Sequence, residues 1–254
     1  MNGKVIRMNA IINPITGRSL IVDMSSLLEE ICEGKEFLVF KKYCDGIILH
    51  QSQVEMLHNL YSLFSGRDAP ALILKYEWRM LAHFNLSQIV EEALSMGASA
   101  IMSSFLVGYE RDEEEAENLK VISLLARESE RLNIPLIIEC IPFGERITKE
   151  NFNKCVELAA RVAAEAGADV IAIPYIREVS VLQKIAAGIH VPIFISDTMI
   201  PFGAFSIDNL KVLLDGGASG LLISREIFQS INKNIKLEEI VKILYNSIHG
   251  GLAP

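Results

Sequence analysis

Residues 157–175 read ELAARVAAEAGADVIAIPY, and this succession of a helical stripe, a glycine and an apolar run decides the fold. Cys155, Leu158, Ala159 and Val162 recur at the spacing of one helical face, which predicts a helix over Asn151–Ala166. Gly167 follows, a residue able to take the left-handed turn that closes a helix. After Ala168 and Asp169 comes Val170–Tyr175, apolar nearly throughout, as a strand covered on both faces must be. The same stop stands at Gly97-Ala98-Ser99, after the helical stripe of Leu86–Met96, and again at Gly217-Ala218-Ser219. Asp45-Gly46 holds a similar place earlier in the chain, so the pattern suggests a repeated unit of two strands and two helices.

Working outward from this unit, eight apolar runs appear: Ser19–Met24, Gly46–His50, Ala71–Tyr76, Ala100–Leu106, Pro135–Ile141, Val170–Tyr175, Val191–Ser196 and Gly220–Ser224. Each is followed by a longer segment, the alternation of a parallel α/β fold. A doubly wound sheet would carry a glycine-rich phosphate loop after its first strand, and neither GxGxxG nor GxxxxGK[ST] occurs. The reading is therefore a single (β/α)₈ TIM barrel over residues 1–254, with residues 1–18 leading into the first strand. No linker rich in proline, glycine or serine divides the chain, and 254 residues match the roughly 250 of such a barrel.

Composition narrows the partners. Half of the residues are hydrophobic and 22% are charged, a globular balance. The longest apolar runs fall far short of the roughly 20 residues a membrane helix needs, so no membrane is expected. The net charge of −8 offers nucleic acid no general attraction. Met1–Ala10 lacks the layout of a secretory signal, and a cytoplasmic location is the default expectation. Cys32, Cys44, Cys140 and Cys155 form no CxxC pair, which predicts reduced thiols, mostly buried. The acidic stretch Glu110–Glu117 reads as the solvated start of a helix, where carboxylates suit the positive end of the dipole.

In a barrel the working residues come from the C-terminal ends of the strands. Those ends read Asp23, His50, Lys75, Ser103–Ser104, Glu139–Cys140, Tyr175, Ser196–Asp197 and Ser224–Arg225. Lys75 has two readings: an amine nucleophile whose ionisation is lowered by an apolar mouth, or an ion-pair partner of Glu77, Asp23 or Glu139. Asp23, His50, Glu139 and Asp197 could converge on a divalent metal, but no local spacing supports it, and neither a metal nor a cofactor is expected. Trp78 either lines a pocket or serves an interface or packing role.

Several stretches carry a resemblance that covers nearly the whole chain. IINPITGRSLIVDM (11–24), VEEALSMGASAI (90–101), the Pro142-x-Gly144 turn, ELAARVAAEAGADVI (157–171) and DGGASGLLISREIF (215–228) resemble, in order and spacing, the archaeal-type class I fructose-bisphosphate aldolases and aminodeoxyheptulosonate synthases, the DeoC/LacD-like aldolases. The resemblance implies a Lys-x-x-Tyr motif on the sixth strand whose lysine forms an imine. Here it reads Ala172-Ile173-Pro174-Tyr175, and alanine cannot form one. The family's Asp-His-Gly after the first strand is Asp23-Met24-Ser25, keeping the carboxylate. Its Tyr-Pro-Arg-Gly after the fifth is Ile141-Pro142-Phe143-Gly144, losing the proton donor and the phosphate ligand.

The phosphate site of the last two strands is half preserved. Ser196-Asp197-Thr198 replaces a small residue followed by two glycines, and Asp197 would repel an anion. Ser224-Arg225 keeps a guanidinium suited to phosphate or carboxylate, with a structural pairing to Asp197 as its other reading. The resemblance thus implies Asp23 as a catalytic candidate and Ser196, Ser224 and Arg225 as phosphate-binding candidates, and the strand-end position adds Lys75 as a second catalytic candidate. The ligand is expected to be a small phosphorylated or acidic carbonyl compound such as a sugar phosphate. Homo-oligomers are common in the family and are implied in the same way. Two functions follow: a carbon–carbon lyase with altered chemistry, or a catalytically inactive paralogue serving as a small-molecule sensor or assembly subunit.

Overall fold

A computed structural model describes residues 3–25, 37–56, 63–66, 68–197, 209–224 and 237–250. Its strands are β1 (Ser19–Asp23), β2 (Gly46–His50), β3 (Ala71–Lys75), β4 (Ala100–Val107), β5 (Leu136–Pro142), β6 (Val170–Pro174), β7 (Ile193–Ser196) and β8 (Gly220–Ile223). Each pairs in parallel with the next, and β8 pairs with β1, so the sheet closes on itself in chain order. Every strand expected from the apolar runs is present, with ends displaced by at most two residues. The fold is a (β/α)₈ barrel.

The described helices are α1 (Gly3–Ile11), α2 (Phe37–Tyr43), α3 (Gln51–Met56), α4 (Trp78–Leu81), α5 (Leu86–Ser95), α6 (Asp112–Arg131), α7 (Phe152–Glu165), α8 (Val179–Gly188), α9 (Leu210–Asp215) and α10 (Leu237–His249). Gly97, Gly167 and Gly217 all have positive φ, at 81°, 105° and 113°, as their role as helix stops requires. The acidic stretch opens α6, whose first turn holds Asp112, Glu113, Glu114 and Glu115.

Side chains alternate along a strand, and tilted barrel strands bring those of alternate strands level in layers of four. Ile21, Ile73, Ile137 and Phe194 of the odd strands and Ile48, Met102, Ala172 and Leu222 of the even strands form one buried interior cluster. The lead-in segment holds α1, a helix the sequence reading leaves out. Its last residue, Ile11, is fully buried and joins that cluster, while Lys4 is ion-paired with Asp169 at 2.9 Å. The far end is pinned by His249, whose Nε2 lies 2.9 Å from Asp45 Oδ2 and whose Nδ1 lies 3.0 Å from Thr16 Oγ1. These contacts close the N-terminal rim and leave the opposite rim for chemistry.

Candidate active site

Two residues beyond Ile21, Ile73, Ile137 and Phe194, the same inward face of the odd strands carries Asp23, Lys75, Glu139 and Ser196. A layer that is apolar one step below becomes entirely polar at the mouth. Lys75 Nζ lies 2.9 Å from Asp23 Oδ2 and 3.9 Å from Glu139 Oε2. Ser196 Oγ donates to Glu139 Oε1 at 2.8 Å. The four side chains form a chain across the barrel, from β1 through β3 and β5 to β7.

These are interior charges. The side chains of Lys75, Asp23 and Glu139 are 14%, 5% and 2% exposed. Burial pushes the Lys75 ammonium down, but Asp23 and Glu139, helped by Glu77, outweigh it and hold the amine above the usual lysine range. The lowered ionisation that a nucleophilic Lys75 would need is therefore reversed in this arrangement, and Lys75 takes the ion-pair reading with two of its three anticipated partners. Asp23 is held in turn: its Oδ1 accepts the Ser25 amide at 2.9 Å.

Around this layer the second ring of strand ends is built differently. His50 turns its Nδ1 to the Lys75 carbonyl oxygen at 3.1 Å. Among the described residues, no group of three or more His, Cys, Asp or Glu side chains is placed to hold a metal ion, so Asp23, His50, Glu139 and Asp197 do not gather into one metal site. Asp197, 1% exposed, accepts the Ser224 amide on both carboxylate oxygens, at 2.8 and 2.9 Å. Ser196 and Ser224 thus stand on neighbouring strands, but the Ser224 N–H that would face a phosphate is held by a carboxylate. Arg225 lies outside the described residues.

The remaining strand-end candidates are structural or peripheral. Tyr175 OH accepts from Asn209 Nδ2 at 2.9 Å, beside a surface cavity of about 330 Å³ lined by Ile176, Arg177 and Val212. Trp78 is 5% exposed, with the Arg79 guanidinium 5.3 Å above its ring, and lines a surface cavity of about 400 Å³ together with His83, Arg111 and Glu114. Among the described cysteines, burial pushes the Cys44 and Cys140 thiols up, and none forms a disulfide. Ala172 is fully buried within the interior cluster.

The residue that the sequence reading leaves out of the catalytic and phosphate-binding candidates is Glu139, which it names only as a strand end, a partner for Lys75 and a group that could meet a metal. Strand parity could have found it, because Glu139 is two positions from Ile137 and shares its inward face, whereas Cys140 points to the helices.

A closed parallel barrel with ionisable groups gathered at its C-terminal mouth is the architecture of the (β/α)₈ barrel enzymes. A family model described as DeoC/LacD family aldolase matches residues 7–230, and the chain belongs to that family. It is 26% identical over 277 residues to an uncharacterised aldolase of Saccharolobus solfataricus, covering all of this chain and 98% of that one. It is 27% identical over 226 residues to the 2-amino-4,5-dihydroxy-6-oxo-7-(phosphonooxy)heptanoate synthase of Streptomyces griseus, covering 83% of this chain and 76% of the synthase. The crystal structure of an archaeal fructose 1,6-bisphosphate aldolase superposes with a TM-score of 0.72 at 20% identity, covering 98% of this chain and all of the other, a likeness of fold. No helix among the described residues is long and apolar enough to cross a membrane.

Proposed function

We propose that this barrel carries out carbon–carbon lyase chemistry, or a reaction close to it, on a small carbonyl compound bearing a phosphate or carboxylate, without an imine on the sixth strand. The observation that carries the reading is the Lys75 Nζ held inside the mouth 2.9 Å from Asp23 and 3.9 Å from Glu139, both buried, which favours the ammonium form. An ammonium there can donate to a substrate carbonyl oxygen. When the bond between the carbons alpha and beta to that carbonyl breaks, the beta hydroxyl gives up its proton to water and becomes a carbonyl, the electron pair moves onto the first carbonyl as an enolate that water later protonates, and a preorganised donor is worth most at that enolate. Asp23 holds Lys75 in place and keeps it charged. The anionic end of the ligand is assigned to the rim, with Ser224 and Arg225 as its candidate partners, because the polar layer itself, where the Ser196 hydroxyl is already on Glu139, is rich in carboxylates.

Wild type, Lys75→Met and Asp23→Asn would be assayed for cleavage of phosphorylated hydroxy ketones, fructose 1,6-bisphosphate among them, with and without borohydride. The expected result is turnover by wild type that both substitutions reduce at least about a hundredfold, an effect of roughly 2.7 kcal/mol, and no borohydride adduct on Lys75. A trapped adduct would replace the ammonium role with an imine.

A second reading, a catalytically inactive paralogue serving as a sensor or assembly subunit, is favoured by Ala172, since no lysine stands in β6. It wins if wild type turns over none of these compounds while still binding them.

A further inference from the structure

Glu139 is built into the layer in a way that the catalytic reading of Lys75 does not use. Its Oε1 is fixed by the Ser196 hydroxyl at 2.8 Å, which sets the rotation of the carboxylate. Its Oε2 is buried and has no hydrogen-bond partner. Lys75 Nζ, at 3.9 Å, is beyond hydrogen-bond reach and is engaged by Asp23 at 2.9 Å. Buried polar atoms are nearly always satisfied, so an orphaned acceptor at a barrel mouth marks a place where a donor is supplied from outside. The charges agree: Asp23 and Glu139 against Lys75 leave one negative charge in excess, which attracts a donor and repels an anion.

We infer that Glu139 is a specificity-determining residue whose Oε2 takes an O–H or N–H group on the carbon next to the ligand's carbonyl. The inference rests on the carbonyl being held by Lys75. Oε2 and Nζ stand close enough for substituents on adjacent carbons to meet both, the carbonyl oxygen accepting from Lys75 and its neighbour donating to Glu139. The ligand is thereby oriented with its donor end inward and its anionic end toward the rim.

Three probes differ only at this point: 2-oxopropyl phosphate, 3-hydroxy-2-oxopropyl phosphate and 3-amino-2-oxopropyl phosphate. Their dissociation constants would be measured by calorimetry on wild type and on Glu139→Gln, whose shape is nearly unchanged, with unfolding midpoints confirming that the variant is folded. On wild type the hydroxyl or amino probe should bind about tenfold tighter than 2-oxopropyl phosphate, and the preference should fall below about twofold in the variant, where an amide donor replaces the free acceptor. A larger gain for the amino probe identifies N–H as the natural donor, and a larger gain for the hydroxyl probe identifies O–H. Equal binding of all three to wild type overturns the role of Glu139 and leaves the carbonyl site standing. Binding of none overturns both.

Discussion

Lys75 Nζ and Asp23 Oδ2 meet at 2.9 Å although β2 lies between their strands, because inward side chains of alternate barrel strands share a level. The pair sits directly above the apolar layers that hold the barrel together, so its ionisation is tied to the stability of the fold.

Replacing Lys75 with methionine leaves Asp23 and Glu139 facing each other, buried and unpaired. A loss of about 3 kcal/mol is expected. Urea unfolding of wild type and variant measures it. An unchanged midpoint would show that the ammonium does not hold the two carboxylates in the barrel.

The raised ionisation of Lys75 fixes the sign of a pH dependence. A group that holds its proton more tightly when folded contributes stability in full below the unfolded lysine value of about 10.4, and that contribution is lost as pH rises through the higher folded value. Urea midpoints should therefore fall more steeply above about pH 10 in wild type than in Lys75→Met. Parallel curves would show that the ammonium is no better held in the barrel than in the unfolded chain.

Ala172→Lys restores the residue type that the family resemblance places on β6. The position is fully buried beside Ile48, Met102 and Leu222, and its strand neighbour in register is Glu139. Four added side-chain heavy atoms crowd a packed layer, and a loss of about 2 kcal/mol is expected in thermal unfolding. An unchanged midpoint would mean that the interior has room for a lysine and that alanine is not fixed there by packing.

Ser103 Oγ is buried on the outer face of β4 without a hydrogen-bond partner. Removing an unsatisfied hydroxyl should help, so Ser103→Ala is expected to gain about 1 kcal/mol by chemical denaturation. A loss would reveal a bound partner for the hydroxyl.

Gly220 closes the seam between β8 and β1, where an added Cβ would collide with the Ser19 backbone carbonyl. Gly97 has open space around it and only its φ of 81° to protect. Gly220→Ala should therefore cost more than 3 kcal/mol or prevent soluble expression, whereas Gly97→Ala should cost about 1 kcal/mol. Comparable losses at both sites would contradict a tight seam.

Much of this was legible in residue order. Strand positions followed from apolar runs of the right length, and helix stops from glycines that proved to have positive φ. Asp23, Lys75 and Ser196 could be nominated because a barrel's strand ends face its mouth. Other features were not legible. Helix α1 carries little amphipathic signal, and its role depends on Ile11 reaching an interior assembled from strands far along the chain. The Asp197 carboxylate on the Ser224 amide and the Ser196 hydroxyl on Glu139 join residues 27 and 57 positions apart, and no local spacing announces such bonds.

Sequence by itself determined the cylinder, since periodicity and glycine stops act over a few neighbouring residues, and it excluded an imine at position 172, since Ala172 has no amine in any fold. Only the tertiary structure decided what Lys75 is paired with. Whether an interior amine is charged depends on the balance between lost solvation and the distances to Asp23 and Glu139, and those distances exist only once the first, third and fifth strands stand level around a closed ring.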